Sequence, residues 1–206
     1  MAVTARSPAE STLDAEDEGV WPFRWTRALY QQLANLEAFG RETHVQLIEG
    51  EIVQMSPPNP PHMTAVMLAH EVLRGVFAEG FHVRNQGPIA LGEVSQPEPD
   101  LSVVPGSIRD YALAHPAQAA LVVEVADATL SFDCNRKASM YAKDGIEDYW
   151  IVNLRQRQLE VLRDPVPAPD ARYGYAYRAR IVIGEDGAIA PLAAPDKAVR
   201  VRDLLP

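Results

Sequence analysis

The 206-residue chain contains one cysteine, Cys134, so no disulfide can form within it and a reducing compartment suits it. With no second cysteine, and with no histidine pair at a zinc-like spacing, a structural zinc site is excluded from the reading. No apolar run approaches the roughly 20 residues of a membrane span, and no basic segment followed by an apolar one opens the chain. These absences predict a cytoplasmic protein with no membrane partner. Basic residues are also in short supply: 19 Lys and Arg face 28 Asp and Glu, a net charge of −9. That balance argues against holding nucleic acid through the overall field, but it leaves room for a site where metal ions supply the positive charge. A glycine-rich phosphate loop and a Gly-x-Ser-x-Gly elbow are both missing.

What is present reads as a globular α/β chain. Residues 1–19 are polar and acidic without apolar period and predict a disordered tail, followed by a single domain over 20–206. Thr26 can cap a helix running toward Gly40 with Leu29, Leu33 and Leu36 on one face. "HVQLIEGEIVQM" predicts an N-terminal hairpin turning at Glu49-Gly50, and "HMTAVMLAHEVLRGVF" an amphipathic helix with Val66, Leu73, Val76 and Phe77 toward a sheet. Leu101 to Val104 and Leu121 to Ala126 are near-continuous apolar runs, as in strands covered on both faces. A helix from Asp133 to about Lys143, stopped by Gly145, is expected to pack through Met140 and Tyr141. The hairpin "EDYWIVNL" and "QLEVLRDP" follows, then C-terminal strands and loops.

The chemistry is suggested by charges in costly places. Asp100 opens one apolar strand and Glu124 interrupts the other; two acids on short buried strands call for a shared cation, since an isolated buried charge is either paired or neutralised, and they converge on one ion if the strands are neighbours. A hard ion such as Mg²⁺ fits oxygen ligands of this kind. Without it the two acids should repel, raising the pKa of one of them. Lys137 would complete the set. The bland reading is that Asp133 and Lys137, at i and i+4, form a solvated surface pair. Against it, a helix starting at Asp133 would put Arg136 and Lys137 in its first turn, where cations are disfavoured unless they face anions. Cys134 is read as incidental, and His62, at the mouth of a helix, as a minor candidate.

"LIEGEIVQMSPPNPPH", "PEPDLSVV" and "LVVEVADATLSFDCNRKASMYAKDGIEDYWIVN" together resemble the Uma-two family of endonucleases within the PD-(D/E)XK nuclease superfamily, from about Leu47 to about Pro165. The resemblance implies a restriction-endonuclease-like core: a mixed β-sheet flanked by helices, with Asp100 and Glu124 as the acids holding Mg²⁺ or Mn²⁺ and DNA as substrate. The superfamily's usual lysine position, two residues after the second acid, is Ala126 here; in this family the lysine is moved to the next helix, where Lys137 stands. The resemblance further implies a water-mediated metal contact from Asp127, an extra acid from Glu49 or Glu51, and a place for Gln86 without a role. A homodimer would suit cleavage of both strands. The competing reading is a non-catalytic module that keeps the fold and serves in interaction or nucleic-acid binding.

Overall fold

The computed structural model describes residues 21–206 except 41, 42 and 78; the expected acidic tail over 1–19 lies outside the described residues. A six-stranded mixed sheet forms the centre, in the order β3 (Phe81–Asn85), β4 (Leu101–Pro105), β5 (Leu121–Ala126), β6 (Asp148–Asn153), β7 (Gln158–Pro167), β8 (Tyr175–Gly184). Only β5 and β6 run parallel, because the connection between them is the helix, a crossover that parallel strands require. The two apolar runs are adjacent strands, paired Leu101↔Val123, as the restriction-endonuclease-like core expects.

Alternation along β5 sorts its side chains between two cores. Val123 and Val125 pack with Ala65, Val66, Ala69 and Leu73 of α2 (Pro60–Val76). Val122 and Ala126 face the other way, toward Met140 and Tyr141. Glu124 shares that second face by the two-residue period of a strand.

The N-terminal hairpin is β1 (Val45–Ile48) with β2 (Glu51–Gln54), turning at Glu49 and Gly50 with positive φ at both, the geometry of a tight hairpin turn. α1 spans Arg27–Asn35, capped by Thr26, whose Oγ1 accepts the Leu29 amide, so it stops short of Gly40. Its buried residue is Tyr30, whereas Leu29 and Leu36 are exposed. The leucine spacing misled because α1 is fastened by Tyr30, whose hydroxyl donates to the Val45 carbonyl, and not by an apolar stripe. The C-terminal "VRVRDLL" makes a two-residue strand, Val199–Arg200, and then a 3₁₀ turn, Val201–Leu204, against α2. Among the described residues no helix is long and apolar enough to cross a membrane.

The helix after β5 departs most from expectation. Leu130–Phe132, Asp133–Lys137 and Ala138–Lys143 run on as one helix, here α3, whose middle segment is a π turn. Asp133 therefore does not cap it; the start lies upstream, and Asp133 is buried inside the second turn. Gly145 ends α3 with φ +75°, and the Ile146 amide reaches back to the Tyr141 carbonyl. A Cβ at Gly145 would touch nothing. Gly145→Ala is therefore expected to cost about 1 kcal/mol from left-handed backbone strain alone, measured by urea denaturation; a neutral result would show that this turn relaxes.

Candidate active site

Continuing the Leu101↔Val123 register by one residue puts Asp100 across from Glu124, where side chains of an antiparallel pair share a face. Asp100 Oδ2 accepts the Val125 amide at 2.8 Å and lies 3.2 Å from His62 Nε2. Its backbone is held as well, since the Gln86 amide donates to the Asp100 carbonyl at 3.0 Å from a left-handed residue with φ +47°. His62 stands in the first turn of α2, where the Asn59 side chain caps its amide.

Glu124 is 3% exposed. Its Oε1 accepts the Tyr141 hydroxyl at 2.8 Å and sits 2.9 Å from the Lys137 ammonium. Lys137 is 2% exposed and also lies 3.5 Å from Asp133 Oδ1. The solvated surface pair is thus overturned: Asp133 and Lys137 are both buried, and the pair faces Glu124. The first-turn dipole argument falls with it, because Arg136 and Lys137 belong to a later turn, and Arg136 reaches out to Glu51 and the Tyr173 hydroxyl. What aims Lys137 and Asp133 at the sheet is the π turn, in which the Ala138 amide bonds the Asp133 carbonyl five residues back. Wide turns of this kind recur at functional sites.

A cleft of about 400 Å³ opens over this group and is lined by Asp100, Glu124, Asp133, Lys137 and His62. Asp127 and Gln86 border it too. Asp127 is already engaged, accepting from Asn59 Nδ2 at 2.7 Å and pairing with Arg155 at 2.9 Å. Glu49 and Glu51 lie outside the cleft: Glu49 pairs with Lys143 and accepts from Ser95, and Glu51 pairs with Arg136. Their place in the hairpin points them at α3 from its far side, so neither acid joins the group. Cys134 is likewise removed from the cleft chemistry, and burial pushes its thiol up to about 11. Asp133 and Tyr141 join the group unannounced by pattern, since Asp133 reads as a surface partner of Lys137 at a helix start and Tyr141 as a packing residue.

Electrostatics explain how such a cluster is tolerated. Burial pushes the Glu124 carboxyl up to about 8; the Lys137 charge opposes the rise, while Asp133 and then Asp100 add to it. Burial is therefore the main cause, ahead of the repulsion between Asp100 and Glu124 that the sequence suggested. Asp133 is raised by burial as well, again opposed by Lys137. For Lys137, burial works against the ammonium, but Glu124 and Asp133 outweigh it and raise its pKa above the ordinary value. For His62, the hydrogen bond to Asp100 exceeds the effect of burial and raises its pKa.

Whether a cation fits can be judged from the carboxylate oxygens. Among the described residues no three His, Cys, Asp or Glu side chains form a ready-made metal cage. Yet Asp100 commits only Oδ2 and Glu124 only Oε1, leaving the second oxygen of each without a hydrogen bond among the described residues. Two free oxygens on opposed strands suit an ion that keeps most of its water, as Mg²⁺ does.

Residues 28–179 match the model of a family, Uma2, described as "Putative restriction endonuclease". A crystal structure described as "a putative nuclease belonging to DUF820 from Anabaena variabilis ATCC 29413" is similar with a TM-score of 0.65 at 17% identity, over 87% of this chain and 97% of that one. At that identity the likeness speaks for the fold. No match was found among the curated proteins.

Proposed function

This chain belongs to the Uma2 family, and we propose that it is a metal-dependent endonuclease that hydrolyses phosphodiester bonds in DNA, with Asp100 and Glu124 holding Mg²⁺ or Mn²⁺ and Lys137 assisting the attack. The observation that carries the reading is a buried lysine placed between two acids on the wall of a cleft whose third acid, Asp100, stands opposite Glu124. The cleft wall carries five acidic side chains, Glu98, Asp100, Glu124, Asp127 and Asp133, and four remain acidic with a proton on Glu124, against the one ammonium of Lys137. A phosphodiester would be repelled from such a surface unless a divalent cation entered with it, which favours a metal-dependent enzyme over a passive nucleic-acid-binding module. When bound, the ion polarises a phosphoryl oxygen and lowers the pKa of the attacking water.

The remaining work falls to the protein. Val125 and His62 fix one oxygen of Asp100, and Tyr141 fixes one oxygen of Glu124, so the free oxygens are oriented before any ligand arrives. Lys137, held by Glu124 and Asp133, supplies a positive charge that costs no reorganisation as negative charge builds on the phosphoryl group. The homodimer is part of the same reading, since two sites related by a two-fold axis suit a duplex.

Because metal ligands must be deprotonated, binding should expel the proton that burial keeps on Glu124. At pH 7 calorimetry in buffers of different ionisation enthalpy is expected to show about one proton released per Mn²⁺, falling toward zero above pH 9. Binding without proton release would place the ion elsewhere. The activity itself is tested by incubating the protein with single-stranded, duplex and branched DNA in Mg²⁺ or Mn²⁺. Cleavage by wild type that Asp100→Asn abolishes supports the reading. Equal cleavage by both proteins, or none by wild type on any substrate, refutes it.

A further inference from the structure

The cleft has a second end that the metal chemistry does not use. Gln46, in β1, lines it and is almost fully buried. Its Nε2 donates to the Glu98 carbonyl at 3.3 Å. A carbonyl can only accept, so this bond fixes the amide orientation and leaves Gln46 Oε1 as an acceptor. That oxygen is buried and has no hydrogen-bond partner among the described residues. An unmade hydrogen bond of this kind is expensive inside a protein, and it is explained by a donor that arrives with a ligand. Glu98, whose backbone carbonyl takes that bond, also lines the cleft, and its carboxylate Oε2 pairs with His44 Nε2 at 2.8 Å. Met55, Pro57 and Pro58 supply an apolar wall to the same cleft.

We propose that this end is a nucleobase subsite, in which Gln46 Oε1 and Glu98 receive the amino group of an unpaired cytosine, adenine or guanine whose phosphate lies over Asp100 and Glu124. The inference rests on the nuclease reading and deepens it by naming the state of the substrate. Two acceptors lining one cleft match an exocyclic amine, which offers two N–H groups. Thymine presents a single ring N–H flanked by carbonyl oxygens that would meet these acceptors unfavourably. A cleft of about 400 Å³ has the size of a small-molecule site and admits a nucleotide, not a duplex with its paired bases stacked. A base reaching Gln46 is therefore single-stranded or flipped out of its helix.

The test uses the full chain in Ca²⁺, with fluorescence anisotropy of labelled oligo(dC), oligo(dT) and a duplex of mixed sequence. Oligo(dC) should bind about threefold to tenfold more tightly than oligo(dT), the contribution of one hydrogen bond made or left unmade, and more tightly than the duplex. Gln46→Leu should erase the difference between the two strands. Unchanged Mn²⁺ binding in Gln46→Leu shows that the fold and the metal end survive. Equal binding of oligo(dC) and oligo(dT) by wild type, or a preference that persists in Gln46→Leu, overturns the subsite, as does a duplex that binds as well as oligo(dC). Cleavage of DNA by wild type alongside such results would leave the nuclease reading standing. Absence of both cleavage and binding would remove the two together.

Discussion

Lys137→Met is expected to reduce cleavage by about 10²- to 10³-fold, the loss seen when one preorganised charge-stabilising donor is removed. Methionine keeps much of the length and apolar stem, so the variant isolates the charge. Lys137→Ala should be similarly inactive and also less stable by about 3–5 kcal/mol, because it leaves Glu124 and Asp133 buried without their shared counter-charge. That penalty has a pH signature: both acids can be neutralised by protonation, so chemical denaturation should find the Ala variant closer to wild type at pH 5 than at pH 8. Lys137→Arg should not restore activity, since a planar guanidinium is not a compact point charge and needs more room than the buried site offers. Full activity in Lys137→Met would remove the lysine from the chemistry and leave it a purely structural counter-ion.

Glu124→Gln is expected to abolish cleavage and weaken Mn²⁺ binding severely, while making the metal-free protein no less stable at alkaline pH. The sign follows from linkage. A carboxyl whose folded pKa is raised from its ordinary 4.5 to about 8 contributes stability that is full below 4.5 and is lost as pH rises through 8. Glutamine imitates the protonated form at every pH, and Lys137 keeps Asp133 as its partner. Metal-free Glu124→Gln should therefore match or exceed wild type above pH 8, by something on the order of a few kcal/mol at most. Added Mn²⁺ should stabilise wild type and not the variant, by mass action on the folded state. An alkaline loss of stability in wild type that Glu124→Gln leaves unchanged would mean that another group carries it.

The strands bearing Asp100 and Glu124 were legible because a charge inside a buried apolar run is conspicuous in one dimension. The hairpin at Glu49-Gly50 followed from an equally local signal, turn chemistry, whereas the adjacency of the two strands came with the fold that the family resemblance implied. Lys137 was reachable through its family resemblance, but its surroundings were not. The π turn that buries Asp133 and Lys137 is one irregular backbone bond pattern, set by how α3 meets the sheet, and no residue type in "DCNRK" announces it. For the same reason Tyr141 read as a packing residue: periodicity placed its ring against the sheet, and only the fold brings its hydroxyl to Glu124. Glu49 and Glu51 show the opposite error, acids near the right motif whose hairpin turns them toward Lys143 and Arg136. The leucines at and after α1 made a convincing stripe, yet only Leu33 is even half-buried, while Leu29 and Leu36 stay exposed.

One divalent ion shared by Asp100 and Glu124 underlies both results above. Crystals soaked in Mn²⁺ and measured for anomalous scattering test it most directly. One strong peak is expected within coordination distance of the free oxygens of both carboxylates, about 2.0–2.2 Å for a hard ion of this size, and it should vanish in Glu124→Gln. A fully soaked crystal with no peak between the two acids, or with an ion bound elsewhere, would contradict it.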